Sequence, residues 1–174
     1  MSPCALARFL GISILLSLFN TTSATESPTT TARPKTLLTL VWHDTQGIVN
    51  KNKLVLSQLD ALPQIKRTQQ LPSPLGIPGR HEWQGVSLHE LLKLSGGTAK
   101  SIRVMALNGY FASIPLSDVQ QFDPLLAYRR DGQNLTIRDK GPFILVYPFD
   151  DFNELNQQLY INRSVWQIHE IHFE

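Results

Sequence analysis

Apolar residues along the chain alternate with polar ones in short runs, and most of these runs are bounded by Gly, Pro, Asn or Asp. An alternation of period two predicts β-strands that bury one face. We predict strands at 37–43, 53–56, 65–70, 102–106, 110–114, 125–129, 143–147 and 165–173. The pair Asn108-Gly109 separates two of these runs, and this dipeptide is a strong signal for a tight β-hairpin turn.

Helical segments are few and short. Ser57 and Ser117 are each placed to cap a turn of helix. Ser87 and Glu90 form a capping-box pattern ahead of a run of leucines, which predicts a third helix. The polar stretch 150–160 predicts one irregular helix.

The segment 71–80 contains three prolines and two glycines. This composition excludes a helix or a central strand, and it indicates an ordered loop that forms the wall or lid of a site. Many short strands with a few short helices predict one α+β domain. We expect its β-rich core to be mixed, largely antiparallel and barrel-like.

The first residues have the pattern of an export signal. The apolar run 9–19 follows Arg8 and is shorter than the about 20 residues that a membrane-spanning helix needs. Small residues around Ala24 then fit a cleavage site. We predict a signal peptide at 1–24, a flexible Thr- and Pro-rich leader at 25–36, a folded domain at 37–174 and a periplasmic location. An uncleaved membrane anchor is the alternative.

The composition of the chain excludes several classes of function and site. The chain has 174 residues, with 16 Lys and Arg against 14 Asp and Glu. This balance excludes the basic footprint of a duplex-DNA binder, so we expect no nucleic-acid partner. The one cysteine, Cys4, lies inside the predicted signal peptide, so a disulfide scaffold and a multi-cysteine zinc site are also excluded.

The candidate chemistry is that of a binding site. His169 and His172 are three apart on a predicted strand and would point to opposite faces, so we expect no histidine metal site. A planar heterocycle with a polar or anionic tail is bound by aromatic faces, forked guanidinium groups and edge hydrogen bonds. The residues that fit these roles are Tyr110, Tyr147, Trp166, Arg129, Arg163, Asn108 and Asp150. Each of them also fits an ordinary core or surface position.

Five segments of the chain occur in an order typical of a known family. They are HEWQGVSLHELLKLSGG, GYFASIPLSD, LLAYRRDGQNL, KGPFILVYP and RSVWQIHEIHF. The chain resembles the molybdopterin-binding domain of the sulfite oxidase family over about residues 37–174. The resemblance implies that family's mixed α+β fold and a pocket for a pterin.

The same resemblance implies roles for individual residues. Tyr110 matches the family's active-site tyrosine, and Arg163 and Trp166 match cofactor-holding residues on the closing segment. The family's Gly-rich loop is replaced here by DDFNELNQQLYIN. Gln70 and Arg80 flank the proline-rich loop, within reach of the pocket.

The family's molybdenum-binding cysteine is missing. It should lie between Thr68 and Arg80, where this chain has no cysteine. Because Gln and Ser replace a thiolate poorly on molybdenum, we expect a reduced pterin as ligand, no molybdenum and no catalysis.

This combination is similar to a group of exported single-domain bacterial proteins. They bind a reduced pterin and relay its presence to the periplasmic domain of a membrane-bound enzyme of cyclic-di-GMP turnover. The leading hypothesis is therefore a non-enzymatic pterin-binding regulator. The alternatives are a molybdopterin-dependent oxidoreductase subunit, and an interaction protein whose pocket is vestigial.

Overall fold

The computed structural model describes residues 37–174, so the predicted signal peptide 1–24 and leader 25–36 lie outside the described residues. The strands are β1 (Leu38–His43), β2 (Val49–Leu54), β3 (Ile65–Gln70), β4 (Arg80–Ser87), β5 (Ser101–Ala106), β6 (Phe111–Pro115), β7 (Leu125–Arg130), β8 (Gln133–Asn134), β9 (Ile144–Val146) and β10 (Ile168–Phe173). The helices are α1 (Leu56–Asp60), α2 (Leu88–Leu94), α3 (Leu116–Phe122) and α4 (Gln158–Arg163). Short 3-10 turns lie at Ser73–Leu75, Ile137–Asp139 and Asn153–Leu155.

The strands form two five-stranded sheets. The first has the order β2-β1-β10-β5-β6, in which β1 and β10 pair in parallel and the other pairs are antiparallel. The second has β3, β4, β7 and β8 in order, and β9 also pairs with β7. The predicted α+β class and the β-rich core are confirmed.

The barrel-like core that we expected is not a closed barrel. In the first sheet β2 and β6 stand at opposite edges and do not pair with each other, so this sheet stays open. A barrel needs every strand to have two partners, whereas each of these edge strands has one.

Both sheets contribute to one hydrophobic core. Strand β5 alternates buried and partly exposed residues, as a sheet with one covered face requires. The three residues of β9 are all buried, so this strand is covered on both faces. None of the helices within residues 37–174 is long and apolar enough to cross a membrane.

Strand β4 was not predicted. Its residues Arg80–Ser87 include Gly85, which weakens the strand pattern. Glycine is needed here because a Cβ atom at this position would overlap the carbonyl oxygen of Leu126 on β7. The pairing of β4 with β7 also shifts register between Gln84 and Gly85.

The helix boundaries differ in detail from the predictions. Ser87 caps α2 as expected, and its side chain accepts a hydrogen bond from the Glu90 amide at 3.2 Å. Val55 and Pro115, rather than Ser57 and Ser117, precede α1 and α3. The single helix expected at 150–160 is a 3-10 turn followed by α4.

Candidate functional site

An open cleft of about 340 Å³ lies where the β5–β6 hairpin, α4 and the proline-rich loop meet, and we call it the aromatic cleft. It is lined by Pro74, Leu75, Ala106, Asn108, Tyr110, Gln158, Ile161, Asn162, Ser164, Val165 and Trp166. Its volume is at the lower end of the range typical of small-molecule pockets. Three of the predicted ligand residues, Asn108, Tyr110 and Trp166, therefore share one cavity.

Tyr110 is positioned by the hairpin turn that the sequence predicted. The Asn108 side chain accepts a hydrogen bond from the Tyr110 amide at 3.0 Å, and Gly109 has a φ of +85° that favours glycine. The Tyr110 hydroxyl donates to the Asn162 carbonyl at 3.0 Å. This bond joins the hairpin to the C-terminal end of α4, and Tyr110 as a whole remains 48% exposed.

Trp166 is positioned by the segment that joins α4 to β10. This segment pairs with β9, because Ile144 and Trp166 form a β-bridge and the Leu145 amide donates to the Val165 carbonyl at 2.8 Å. The ammonium of Lys140 lies 4.2 Å from the centroid of the Trp166 ring. This is the distance of a cation–π contact, which fixes the ring at the edge of the cleft.

A buried carboxylate holds two further predicted residues away from the aromatic cleft. Asp118 is 5% exposed, and its Oδ2 accepts from the Tyr147 hydroxyl and from the Arg163 guanidinium, each at 2.8 Å. Burial, and then the charge of Asp118, raise the pKa of Tyr147 far above its ordinary value. Tyr147 is thus a protonated core donor, and Arg163 anchors the end of α4.

Gln70, Arg80 and Asp150 lie together in a different cavity. This polar cleft of about 290 Å³ is also lined by Pro72 and Ser73 of the proline-rich loop. Arg80 and Asp150 form an ion pair at 2.7 Å across it. The loop therefore forms part of the wall of both clefts, as the sequence predicted for segment 71–80.

Arg129 lies outside both clefts. Its guanidinium makes two hydrogen bonds, at 2.6 and 2.9 Å, to the carboxylate of Asp60 at the end of α1. The hydrogen bond from Arg129 lowers the pKa of Asp60. Burial, together with the hydrogen bond to Asp60, raises the pKa of the neighbouring Tyr128 to about 12. The contact ties α1 to β7, which is a structural role.

The cleft residues offer contacts that suit the ring system of a pterin. Aromatic faces at Tyr110 and Trp166 and amides at Asn108, Gln158 and Asn162 offer stacking and edge hydrogen bonds. Within residues 37–174 there is no cysteine, and no group of three His, Asp or Glu side chains is placed to hold a metal ion.

Several site residues were missed by sequence reasoning. Asn162, near the end of α4, and Ser164, directly after it, line the aromatic cleft. Lys140 reaches Trp166 from 26 residues away in the sequence, and Asp118 reaches Arg163 from 45. Periodicity within one element carries no information about such distant pairs.

Comparison with known proteins shows a solved structure that shares this fold. The chain is similar to a chain of the crystal structure of the sulfane dehydrogenase SoxCD from Paracoccus pantotrophus, with a TM-score of 0.55 and 18% sequence identity. The match covers 78% of this chain and 38% of that chain, so this chain spans well under half of its length. At this identity the likeness shows a shared fold. No curated protein sequence was found to match the chain.

A family model describes the sequence more directly. The model of the oxidoreductase molybdopterin binding domain matches residues 44–150, which is more than half of the chain. The matched range includes the hairpin with Asn108 and Tyr110, and the resemblance noted from the sequence is confirmed. The chain belongs to the family of oxidoreductase molybdopterin binding domains.

Proposed function

We propose that this chain is a periplasmic, non-enzymatic module that binds a reduced pterin in the aromatic cleft. The observation that carries the proposal is the convergence of Asn108, Tyr110 and Trp166 on one cavity of a molybdopterin-binding domain. The pterin ring would stack on Trp166 or Tyr110. Amide side chains would then meet its polar edge.

The non-enzymatic part of the proposal depends on the missing thiolate. Residues 69–73 read Gln-Gln-Leu-Pro-Ser, in the region where the family's metal-binding cysteine is expected. Gln69 is buried, and its amide donates to the Tyr147 carbonyl at 2.9 Å, so it is engaged in the core. Gln70 lines the polar cleft but offers an amide, a poor ligand for molybdenum.

The proposed role is that of a protein that binds its ligand and catalyses no reaction. A module of this kind acts by presenting a different surface when its ligand is bound. The partner we propose is the periplasmic domain of a membrane-bound enzyme of cyclic-di-GMP turnover. The predicted signal peptide at 1–24 and the resemblance to exported pterin-binding regulators support this assignment.

A titration tests the proposal. We expect a tetrahydropterin, added to the protein in oxygen-free buffer, to give saturable heat in a calorimeter. Replacing Tyr110 with alanine should weaken binding roughly tenfold, because a stacking face and a closing hydrogen bond are lost.

The neighbouring aromatic residue provides a matched control. Phe111 is 54% exposed on the same hairpin and does not line the cleft. Phe111→Ala should therefore leave the affinity unchanged. The absence of saturable heat with the unmodified protein would refute the proposed ligand, and equal losses in both variants would refute the proposed cleft.

The family description favours one alternative, an oxidoreductase subunit that holds molybdopterin with its metal. This alternative predicts near-stoichiometric molybdenum in protein purified from cells that make the cofactor. The proposed function predicts that elemental analysis of the same preparation finds no bound molybdenum.

A further inference from the structure

Strand β2 lies at one edge of the first sheet and exposes every second residue. Val49 is 53% exposed, and Lys51 and Lys53 are exposed as well, whereas Asn50 and Asn52 between them are partly buried. At the opposite edge of the same sheet, α3 and α4 pack against β6. We call the exposed row Val49, Lys51 and Lys53 the β2 edge.

The register of the β1–β2 hairpin determines which main-chain groups of β2 point away from β1. The Asp44 amide donates to the Ile48 carbonyl at 3.0 Å, so these two residues form a hydrogen-bonded pair. In an antiparallel ladder such pairs alternate with pairs that exchange no main-chain hydrogen bond. Val49, Lys51 and Lys53 occupy the second kind of position, so their N–H and C=O groups point outward. Within residues 37–174, β1 is the only strand that pairs with β2, and outward groups of this kind can accept another strand.

The β2 edge is positively charged. Lys51 and Lys53 are two residues apart, so both side chains project from the same face of the sheet. Neither lysine forms an ion pair with another residue of segment 37–174. Full antiparallel pairing with β2 of a second copy would place lysine opposite lysine, and like charges directly opposite each other are destabilising. The charge therefore disfavours a second copy and favours an acidic strand.

We propose that the β2 edge is a docking site for an extended acidic segment of a partner protein, which adds a strand to this sheet. Main-chain hydrogen bonds from the segment would satisfy the outward groups of the β2 edge. Side chains directly opposite each other lie on the same face, so the segment should carry an apolar residue opposite Val49 and Asp or Glu opposite Lys51 and Lys53. The β5–β6 hairpin of the aromatic cleft is at the other edge of the sheet, so the proposal does not depend on the proposed pterin.

Two synthetic peptides test the proposal. Both have acetylated and amidated ends and a β-prone sequence, and they differ only in carrying either glutamate or lysine at two positions that are two residues apart. We expect the glutamate peptide to bind saturably in a titration followed by NMR, and the lysine peptide not to bind. At saturation, hydrogen exchange should slow at the amides of Val49, Lys51 and Lys53. This readout reports main-chain hydrogen bonds, which a purely electrostatic contact would not form.

Reversing one charge should exchange the preference. Lys51→Glu should weaken binding of the glutamate peptide roughly fivefold and allow the lysine peptide to bind, because a cross-strand attraction becomes a repulsion. Lys51 is exposed, so the variant is expected to fold. The control is Lys100→Glu, which changes the net charge equally. Lys100 is exposed directly before β5, and β1 and β10 lie between β5 and β2, so this variant should bind the glutamate peptide as the unmodified protein does.

Three results of these experiments would overturn the proposal: no saturable binding of the glutamate peptide, binding that leaves exchange at the three amides unchanged, or equal weakening by the two variants. Protection of the same amides in the free protein that grows with protein concentration would also overturn it, because a second copy would then occupy the β2 edge. The peptides do not probe the aromatic cleft, so the proposed pterin function is tested separately by its own titration.

Discussion

Replacing Asp118 with alanine is expected to lower the free energy of unfolding by about 3 kcal/mol. The carboxylate is 5% exposed and is the shared acceptor for the Tyr147 hydroxyl and the Arg163 guanidinium. Without it, a fully buried hydroxyl loses its acceptor and a guanidinium whose side chain is 18% exposed loses its counter-charge. Removing one partner of such a buried pair costs more than the pair contributes, because the other partner stays desolvated.

We expect Asp118→Ala also to disturb the aromatic cleft. Arg163 directly precedes Ser164, Val165 and Trp166, which line that cleft. Since Asp118 holds Arg163 to α3, its loss frees the segment that carries the tryptophan. We therefore expect tetrahydropterin affinity to fall together with stability.

Chemical denaturation followed by fluorescence measures the stability effect, with Glu82→Ala as the control. Glu82 also pairs with one cation, Lys66 at 2.8 Å, but the side chains of Lys66 and Glu82 are 58% and 39% exposed. An exposed pair contributes about 0–1 kcal/mol. If the two variants lose similar stability, the buried carboxylate does not have the role assigned to it.

Replacing Trp166 with alanine is expected to weaken tetrahydropterin binding roughly 10- to 100-fold. The indole is the largest apolar face that lines the aromatic cleft. Its position is set by pairing with β9 on one side and by the ammonium of Lys140 on the other. A ring held in this way stacks on a ligand without losing further freedom, so the loss of binding should be large.

Trp42 offers a tryptophan control. It lies on β1, packs against the core and does not line the aromatic cleft. Trp42→Ala should reduce stability while the folded protein keeps its affinity. Should Trp166→Ala bind as well as the unmodified protein, stacking on this residue is not part of recognition.

The β5–β6 hairpin was predictable because its signals are local. Asn108 and Gly109 favour a tight turn, and the flanking alternation defines the two strands. Tyr110 follows the turn directly, so its place at the surface beside the cleft also follows from local sequence. The same reasoning explains why the cap of α2 at Ser87 was predicted correctly.

The order of the strands in the sheets could not be predicted from local sequence patterns. Strand β1 pairs in parallel with β10, and no pattern within either strand specifies that partner. Whether a barrel-like core closes between its edge strands is likewise a property of the whole sheet. Two open sheets satisfy the same alternation of buried and exposed residues.

The roles of Tyr147 and Arg163 were also hidden in the sequence. Tyr147 follows a strand that is buried on both faces, so its side chain enters the core. Its acceptor, Asp118, is 29 residues away, and a lone aspartate in a short helix gives no sign of being buried. In the sequence, all nine candidate residues fitted a ligand site. In the structure, tertiary contacts divide these residues between the aromatic cleft, the polar cleft, the buried cluster around Asp118 and the Arg129–Asp60 contact.

The central claim is that the aromatic cleft holds the pterin ring, and a crystal structure of the protein with a bound tetrahydropterin tests it most directly. We predict electron density for the ring against Trp166 and Tyr110, with its polar edge facing Asn108 or Asn162. Density for the ring in the polar cleft beside Arg80 and Asp150, with the aromatic cleft empty, would contradict the account.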